Sequence, residues 1–324
     1  MSAGGQPGSA ATAPDLPVPW EPVEGDRDGL LAHLEAHAVT TTVRVLSRLP
    51  LGLQRRLAHV LARAARALDR RHAGAARRFL QIALGPGLTP QRREELVVQA
   101  FENMVTMTLE EARFDREVPA GRVLEHFEVE LCPDFERLRG SGTGALVLTA
   151  HVGSWEYLPV VTAALGYGPL YAVARPPRNR PLSRLLQRTR EARGVHVLHR
   201  HGAVASIPKV VAVGGLVGLL VDQRGRGKTV VAPFFGRPAH CERAVAVLAR
   251  RMGVPLAFAA CYRSERPWHY RAVYPRVLWP ADLAGLSLEQ VTARINAELE
   301  RMILARPEQY FWLHDRFRGA PAPP

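Results

Sequence analysis

The chain has 324 residues, 47% of them hydrophobic, which is enough for one large domain or two smaller ones and excludes a disordered protein. Its formal net charge is +13, carried almost wholly by arginine with lysine only at 209 and 228, so the partners it favours are anionic: lipid headgroups, phosphorylated cofactors, acidic proteins or nucleic acid. The three cysteines, at 132, 241 and 261, form no Cys-x-x-Cys pair and no metal-ligand spacing, and no apolar run reaches the roughly 18 residues of a spanning helix.

In chain order, residues 1–25 are rich in Gly, Ala, Ser and Pro and read as a disordered leader, and the tail 320–324 reads likewise. Residues 28–113 look helical, with breaks expected at Leu49-Pro50, Gly85-Pro-Gly87 and Thr89-Pro90. Within them, Leu46, Leu49, Leu53, Leu57, Val60, Leu61, Ala64 and Leu68 recur at helical spacing. Eight arginines between 44 and 71 occupy much of the remainder. That pattern suits a basic amphipathic helix pair lying in a membrane interface, or an ordinary surface helix whose apolar face packs on the domain.

From 145 onward, strand-like runs at 145–149, 170–174, 195–198, 215–221, 255–262 and 269–275 alternate with helical patterns at 154–165, 181–193, 202–212 and 242–252. A last helix is expected near 287–305, behind Ser287. The expected fold is therefore α/β: a mixed, mainly parallel central sheet flanked by helices, with an N-terminal helical, membrane-facing section. The expected organisation is a single unit over 26–319, helical over 26–113 and α/β over 114–319, because no flexible linker interrupts 114–144.

The most informative segment is Ala145-Leu-Val-Leu-Thr-Ala-His-Val-Gly-Ser-Trp-Glu156, where an apolar strand gives way to a helix. Residues five apart on a continuous helix lie roughly 140° apart. A strand-to-helix junction removes that difficulty. With His151 on irregular backbone and Glu156 in the first helical turns, the carboxylate can fold back onto one imidazole nitrogen and leave the other as a base. Open α/β sheets place ligand sites at the carboxyl ends of their strands, which is where this pair falls. Backbone N–H groups near 152–154, or Arg175, are the expected donors to a developing oxyanion.

Three more segments, in order, make the chain resemble the bacterial lipid A biosynthesis acyltransferases, the lauroyl and myristoyl transferase family. His151-Val-Gly-Ser-Trp-Glu156 matches the family's His-x-Gly-x-Trp-Glu, and Arg175-Pro-Pro-Arg-Asn-Arg-Pro181 its basic Arg-Pro segment. Asp222-Gln223 with Pro233-Phe-Phe-Gly236, and Pro307-Glu-Gln-Tyr-Phe-Trp-Leu-His-Asp-Arg-Phe317, match its two remaining segments. The departures are Ser154 where Asn is frequent, Phe79 in place of Asn, and Cys241 in place of Thr.

The resemblance implies transfer of a fatty acyl chain from a thioester, carried by acyl carrier protein or coenzyme A, to a hydroxyl of a membrane glycolipid or phospholipid such as a lipid A precursor. His151 and Glu156 would be the catalytic pair. Arg175, Arg178, Asp222 and Gln223 would bind substrate, with Phe234, Phe235 and Gly236 along an acyl channel. No metal or cofactor is required beyond the thioester, and the cytoplasmic face of the bacterial inner membrane is the implied location. The competing reading is a catalytically inactive basic protein that binds lipid or nucleic acid; against nucleic acid, no basic motif is interleaved with aromatics. A serine-triad hydrolase is discounted because no Gly-x-Ser-x-Gly occurs.

Overall fold

The structure, a computed structural model, describes residues 25–200 and 202–320. The leader and tail expected from composition fall outside these residues, apart from Gly25 and Ala320. The helical section comprises α1 (Leu30–Leu46), α2 (Leu51–Leu68), α3 (Arg70–Leu84) and α4 (Pro90–Glu111). Pro50 and the Gly85-Pro-Gly87 turn separate them as expected. The break between α2 and α3 has no Gly or Pro; Asp69 makes it by leaving helical geometry and accepting the His72 N–H at 3.1 Å as an N-cap.

The short α5 (Phe114–Glu117), β1 (Phe127–Leu131) and α6 (Pro133–Leu138) lead into the alternating part. There follow β2 (Ala145–Thr149), α7 (Leu158–Ala164), β3 (Leu170–Ala174), α8 (Arg180–Ala192), β4 (Val195–His199), α9 (Ala203–Ala212) and β5 (Leu216–Leu220). A two-stranded hairpin, β6 (Thr229–Phe234) and β7 (Arg237–Glu242), precedes α10 (Arg243–Met252). The chain closes with β8 (Leu256–Arg263), β9 (Tyr270–Leu278), α11 (Pro280–Leu283) and α12 (Leu288–Ala305).

The main sheet has the order β1-β9-β8-β2-β5-β3-β4. The five strands from β8 to β4 run parallel, β9 is antiparallel to β8, and β1 pairs parallel with β9. Side chains alternate across each strand, so the two faces bury different sets. Leu146, Leu148 and Val217 join a core with α3, α4, α9, α10 and α12. Ala145, Ala257 and Ala259 join a second core with Phe135 of α6 and with Leu158, Val160 and Val161 of α7. Helices on both faces explain why β2, β5 and β8 read as unbroken apolar runs.

The amphipathic stretch behaves differently from the packed-stripe alternative. What α2 buries is the polar-and-small row Gln54, Ala58 and Ala62, which lets it approach α4 closely. The aliphatic row is turned outward. Leu30 and Leu31 of α1 and Leu53, Val60 and Leu68 of α2 are between 49% and 85% exposed.

Candidate active site

Two strands adjacent in the sheet, β2 and β5, deliver the site from their carboxyl ends. His151 follows β2 by two residues, and Asp222 follows β5 by two. The Nδ1–H of His151 donates to Asp222 Oδ1 at 2.7 Å, and the backbone N–H of His151 donates to Oδ2 at 3.2 Å. The Tyr310 hydroxyl donates to the same Oδ2 at 2.9 Å. Asp222 is 1% exposed and His151 22%, so the carboxylate is sealed while the far edge of the ring reaches the surface. Among the described residues Nε2 takes no hydrogen bond; with Nδ1 holding the proton, its lone pair points outward.

The electrostatics suit that arrangement. Burial pushes the Asp222 carboxyl up, but the electrostatic pull of the facing imidazole and the bonds from His151 and Tyr310 together hold it below its ordinary range. His314, on the same C-terminal segment, is driven down to about 4 by burial, opposed by Asp222 and reinforced by Arg316 and His151, so it is neutral near pH 7.

The expected partner of His151 is otherwise engaged. Glu156 lies in a 3-10 turn (Trp155–Tyr157) ahead of α7, and its carboxylate accepts two bonds from Arg190 of α8, at 3.1 and 3.0 Å. The acid that fixes the imidazole is Asp222, expected instead to bind substrate. The backbone donors expected at 152–154 are also taken: Val152 N–H by Ala150 O, Gly153 N–H by Gln309 O and Ser154 N–H by Cys261 O. The last two of these bonds lash the loop to the C-terminal segment and to β8, and Phe311 N–H binds His151 O at 2.9 Å.

That segment is held by aromatic packing. Phe79 of α3 lies within 6.1 Å of the rings of Phe234, Phe235, Tyr310, Trp312 and Phe317, so an aromatic there is the hub that seats Tyr310 under Asp222. Arg316 is fully buried over Phe234, with Nη1 on His240 O and Nη2 on Cys241 Sγ. Cys241, a departure from the family pattern, is therefore an acceptor for this guanidinium.

Phe234 and Phe235 belong to that packing, and neither lines the apolar groove beside Trp155. Phe235 and Gly236 turn the β6–β7 hairpin with φ of 48° and 69°, a geometry that usually selects Asn-Gly, and Glu300 steadies the turn by accepting the Phe235 N–H at 2.8 Å. The apolar groove lies on the opposite face of the sheet, beside Trp155, whose ring meets that of His151 edge-on at 5.1 Å. It is walled by α7, α8 and the β2-β5-β3 surface, with Glu156 and Arg190 among its lining residues.

The Arg175–Pro181 segment divides. Asn179 is buried; it caps α8 by accepting the Leu182 N–H and ties down α1 by donating to Ala32 O. Arg180 pairs with Asp28 at 3.2 Å. Arg175 and Arg178 are exposed, and Arg175 borders a small cleft that shares Arg190 with the groove. Gln223 is partly buried next to Asp222.

The fold and site are thus an α/β sheet that presents a buried carboxylate to an imidazole, with an apolar groove beginning two residues back along the same two strands. The family described as bacterial lipid A biosynthesis acyltransferase matches residues 28–319, and the chain belongs to it. Among its relatives is the lipid A biosynthesis palmitoleoyltransferase of Escherichia coli K12, 27% identical over 264 residues that cover 79% of this chain and 82% of the relative. The lipid A biosynthesis lauroyltransferase of the same organism is 27% identical over 281 residues, covering 85% and 88%.

Proposed function

We propose that the protein transfers a fatty acyl chain from a thioester, on acyl carrier protein or coenzyme A, to a hydroxyl of a lipid A precursor or similar membrane glycolipid. The observation that carries this is the His151–Asp222 pair, which follows by two residues the groove-lining Thr149 and Leu220 and touches the groove-lining Trp155. His151 Nε2 removes the acceptor hydroxyl proton as the oxygen attacks the thioester carbonyl, and Asp222 holds the tautomer and stabilises the imidazolium. The carbon–sulfur bond then breaks, and the thiolate leaves and takes up a proton. Arg175 supplies charge to the oxyanion, and Arg178 and Gln223 contact the polar part of a substrate. Glu156 acts through Arg190, holding it at the rim of the groove that receives the acyl chain.

The assay that tests this mixes purified protein with labelled acyl-carrier protein, labelled acyl-coenzyme A and a lipid A precursor. Label is expected on the lipid from at least one donor. Consumption of neither donor by protein that still binds vesicles would sink the reading.

We also infer attachment to the cytoplasmic face of the inner membrane through α1 and α2. No helix among the described residues is long and apolar enough to cross a membrane. At about 100° per residue, Leu53, Leu57, Val60, Leu61, Ala64 and Leu68 share an arc of roughly 100°, with Arg56 and Arg63 beside it. An aliphatic row left exposed and flanked by arginine fits acyl chains below and anionic headgroups around. Replacing Leu53, Val60 and Leu61 together by Asp is expected to lower sedimentation with anionic vesicles at least tenfold. Unchanged sedimentation would place the contact elsewhere.

A further inference from the structure

The groove floor contains a gap whose position in the sheet has a chemical meaning. Its strands are parallel, so the paired residues form rungs that step from the His151 end to the far end. Thr149 and Leu220 form the rung nearest His151, and Leu170, Leu216 and Ala145 the far one. Between them lie Val147, Gly218 and Ala172. Two residues of strand separate successive rungs on one face, so the middle rung sits about 7 Å below the mouth and the far rung about 13 Å.

Gly218 is therefore the low point midway along the path. Glycine in a strand interior weakens it, and such a residue commonly marks a place where a ligand approaches the backbone. No backbone constraint accounts for it: its φ lies outside the positive region, and a Cβ built there meets only Tyr171 O, at 3.6 Å, an ordinary van der Waals distance. The contrast with Gly144 and Gly215 is sharp, since a Cβ at either would strike backbone atoms below 3.0 Å. Those glycines are demanded by packing; Gly218 is not.

We propose that Gly218 sets the length of acyl chain the enzyme accepts, by leaving open the passage from the upper to the lower half of the groove. This rests on the reading of the groove as the acyl site. A side chain at 218 would rise into the path and stop an acyl chain at the middle rung, while Leu216 marks its far end.

The test is a competition among saturated acyl donors of graded length, scored by kcat/KM for wild type, Gly218→Leu and Leu216→Ala, with thermal unfolding as the check on folding. Gly218→Leu is expected to move the optimum to a chain at least two carbons shorter and to shift the short-to-long ratio by 10- to 200-fold, the discrimination one methylene commands in an apolar pocket. Leu216→Ala is expected to move the optimum the other way. A folded Gly218→Leu variant with the wild-type length profile overturns the proposal, and so does a uniform loss at every length. Should Gly218→Leu fail to fold, an unmoved optimum in Leu216→Ala overturns it. The underlying groove reading is judged separately by Ala172→Leu. A profile shifted by Ala172→Leu but not by Gly218→Leu leaves the groove standing and removes Gly218, whereas no shift in either removes both.

Discussion

Acyl transfer is expected to fall by about 10²- to 10⁴-fold in His151→Ala, the range a positioned general base contributes, and by a similar factor in Asp222→Asn. The second loss follows from the tautomer. An amide oxygen in place of Oδ1 can still accept from Nδ1–H, but the neutral group no longer stabilises an imidazolium, and an NH₂ turned toward the ring would force the proton to Nε2. Nε2 would then be a donor, unable to take the hydroxyl proton. Tyr310→Phe removes one of the three bonds that keep Asp222 ionised while buried, so a smaller loss is expected there. Glu156→Gln separates the two carboxylates by a different readout. A downfield proton resonance from the His151 Nδ1–H should persist in Glu156→Gln and vanish in Asp222→Asn, because only Asp222 touches that nitrogen. The opposite pattern would return Glu156 to the role that its nearness in sequence suggests.

That nearness is instructive about what a linear chain discloses. Each of His151 and Asp222 was legible by itself as a polar residue at the carboxyl end of an apolar strand. Their union was not, since 71 residues separate them and only the adjacency of β2 and β5 brings them together. Glu156 is five residues from His151, yet Arg190, 34 positions further on, draws its carboxylate away, because α8 packs beside the turn that carries it. The same limit applies to elements. The strands from β2 to β5, with β8 and β9, fell where apolar runs placed them, whereas β1 and the β6–β7 hairpin went unseen. Phe127-Glu-Val-Glu-Leu131 does alternate with period two, and its burial alternates accordingly, so a signal was present in a short edge strand. The hairpin carries Pro233 opposite Pro238, and proline argues against a strand even where, as in this isolated pair, it is tolerated. For α2, periodicity identified an apolar stripe correctly but not its direction. Alanines at 58 and 62 bury against α4 because small side chains allow close approach, which leaves the leucines outward.

The other large effect is expected at Gly153, between the base and the turn that carries Glu156. Its φ is 62°, and a Cβ there would lie 2.0 Å from Cys261 O, an overlap with backbone that no rotamer relieves. Left-handed geometry costs a residue with a Cβ roughly 1–2 kcal/mol, and forcing an extra carbon into a packed site typically costs another 1–3 kcal/mol. Gly153→Ala should therefore lose about 2–5 kcal/mol of stability, seen as a fall of several degrees in Tm. Activity should fall further than stability implies. Relief of the overlap must lift the loop from β8, breaking the 2.7 Å bond from Ser154 N–H to Cys261 O and the 2.9 Å bond from Gly153 N–H to Gln309 O. His151 then loses its register with Asp222, and a displacement of about 1 Å at a reacting group is enough for a 100-fold loss. Gly121→Ala is the matched control, since a Cβ there meets nothing within 4 Å and its φ is unremarkable. If Gly153→Ala matched that control in both Tm and kcat, the loop would not be clamped to β8 as drawn, and the position of His151 would have to be held by Asp222 and the bond from Phe311 N–H.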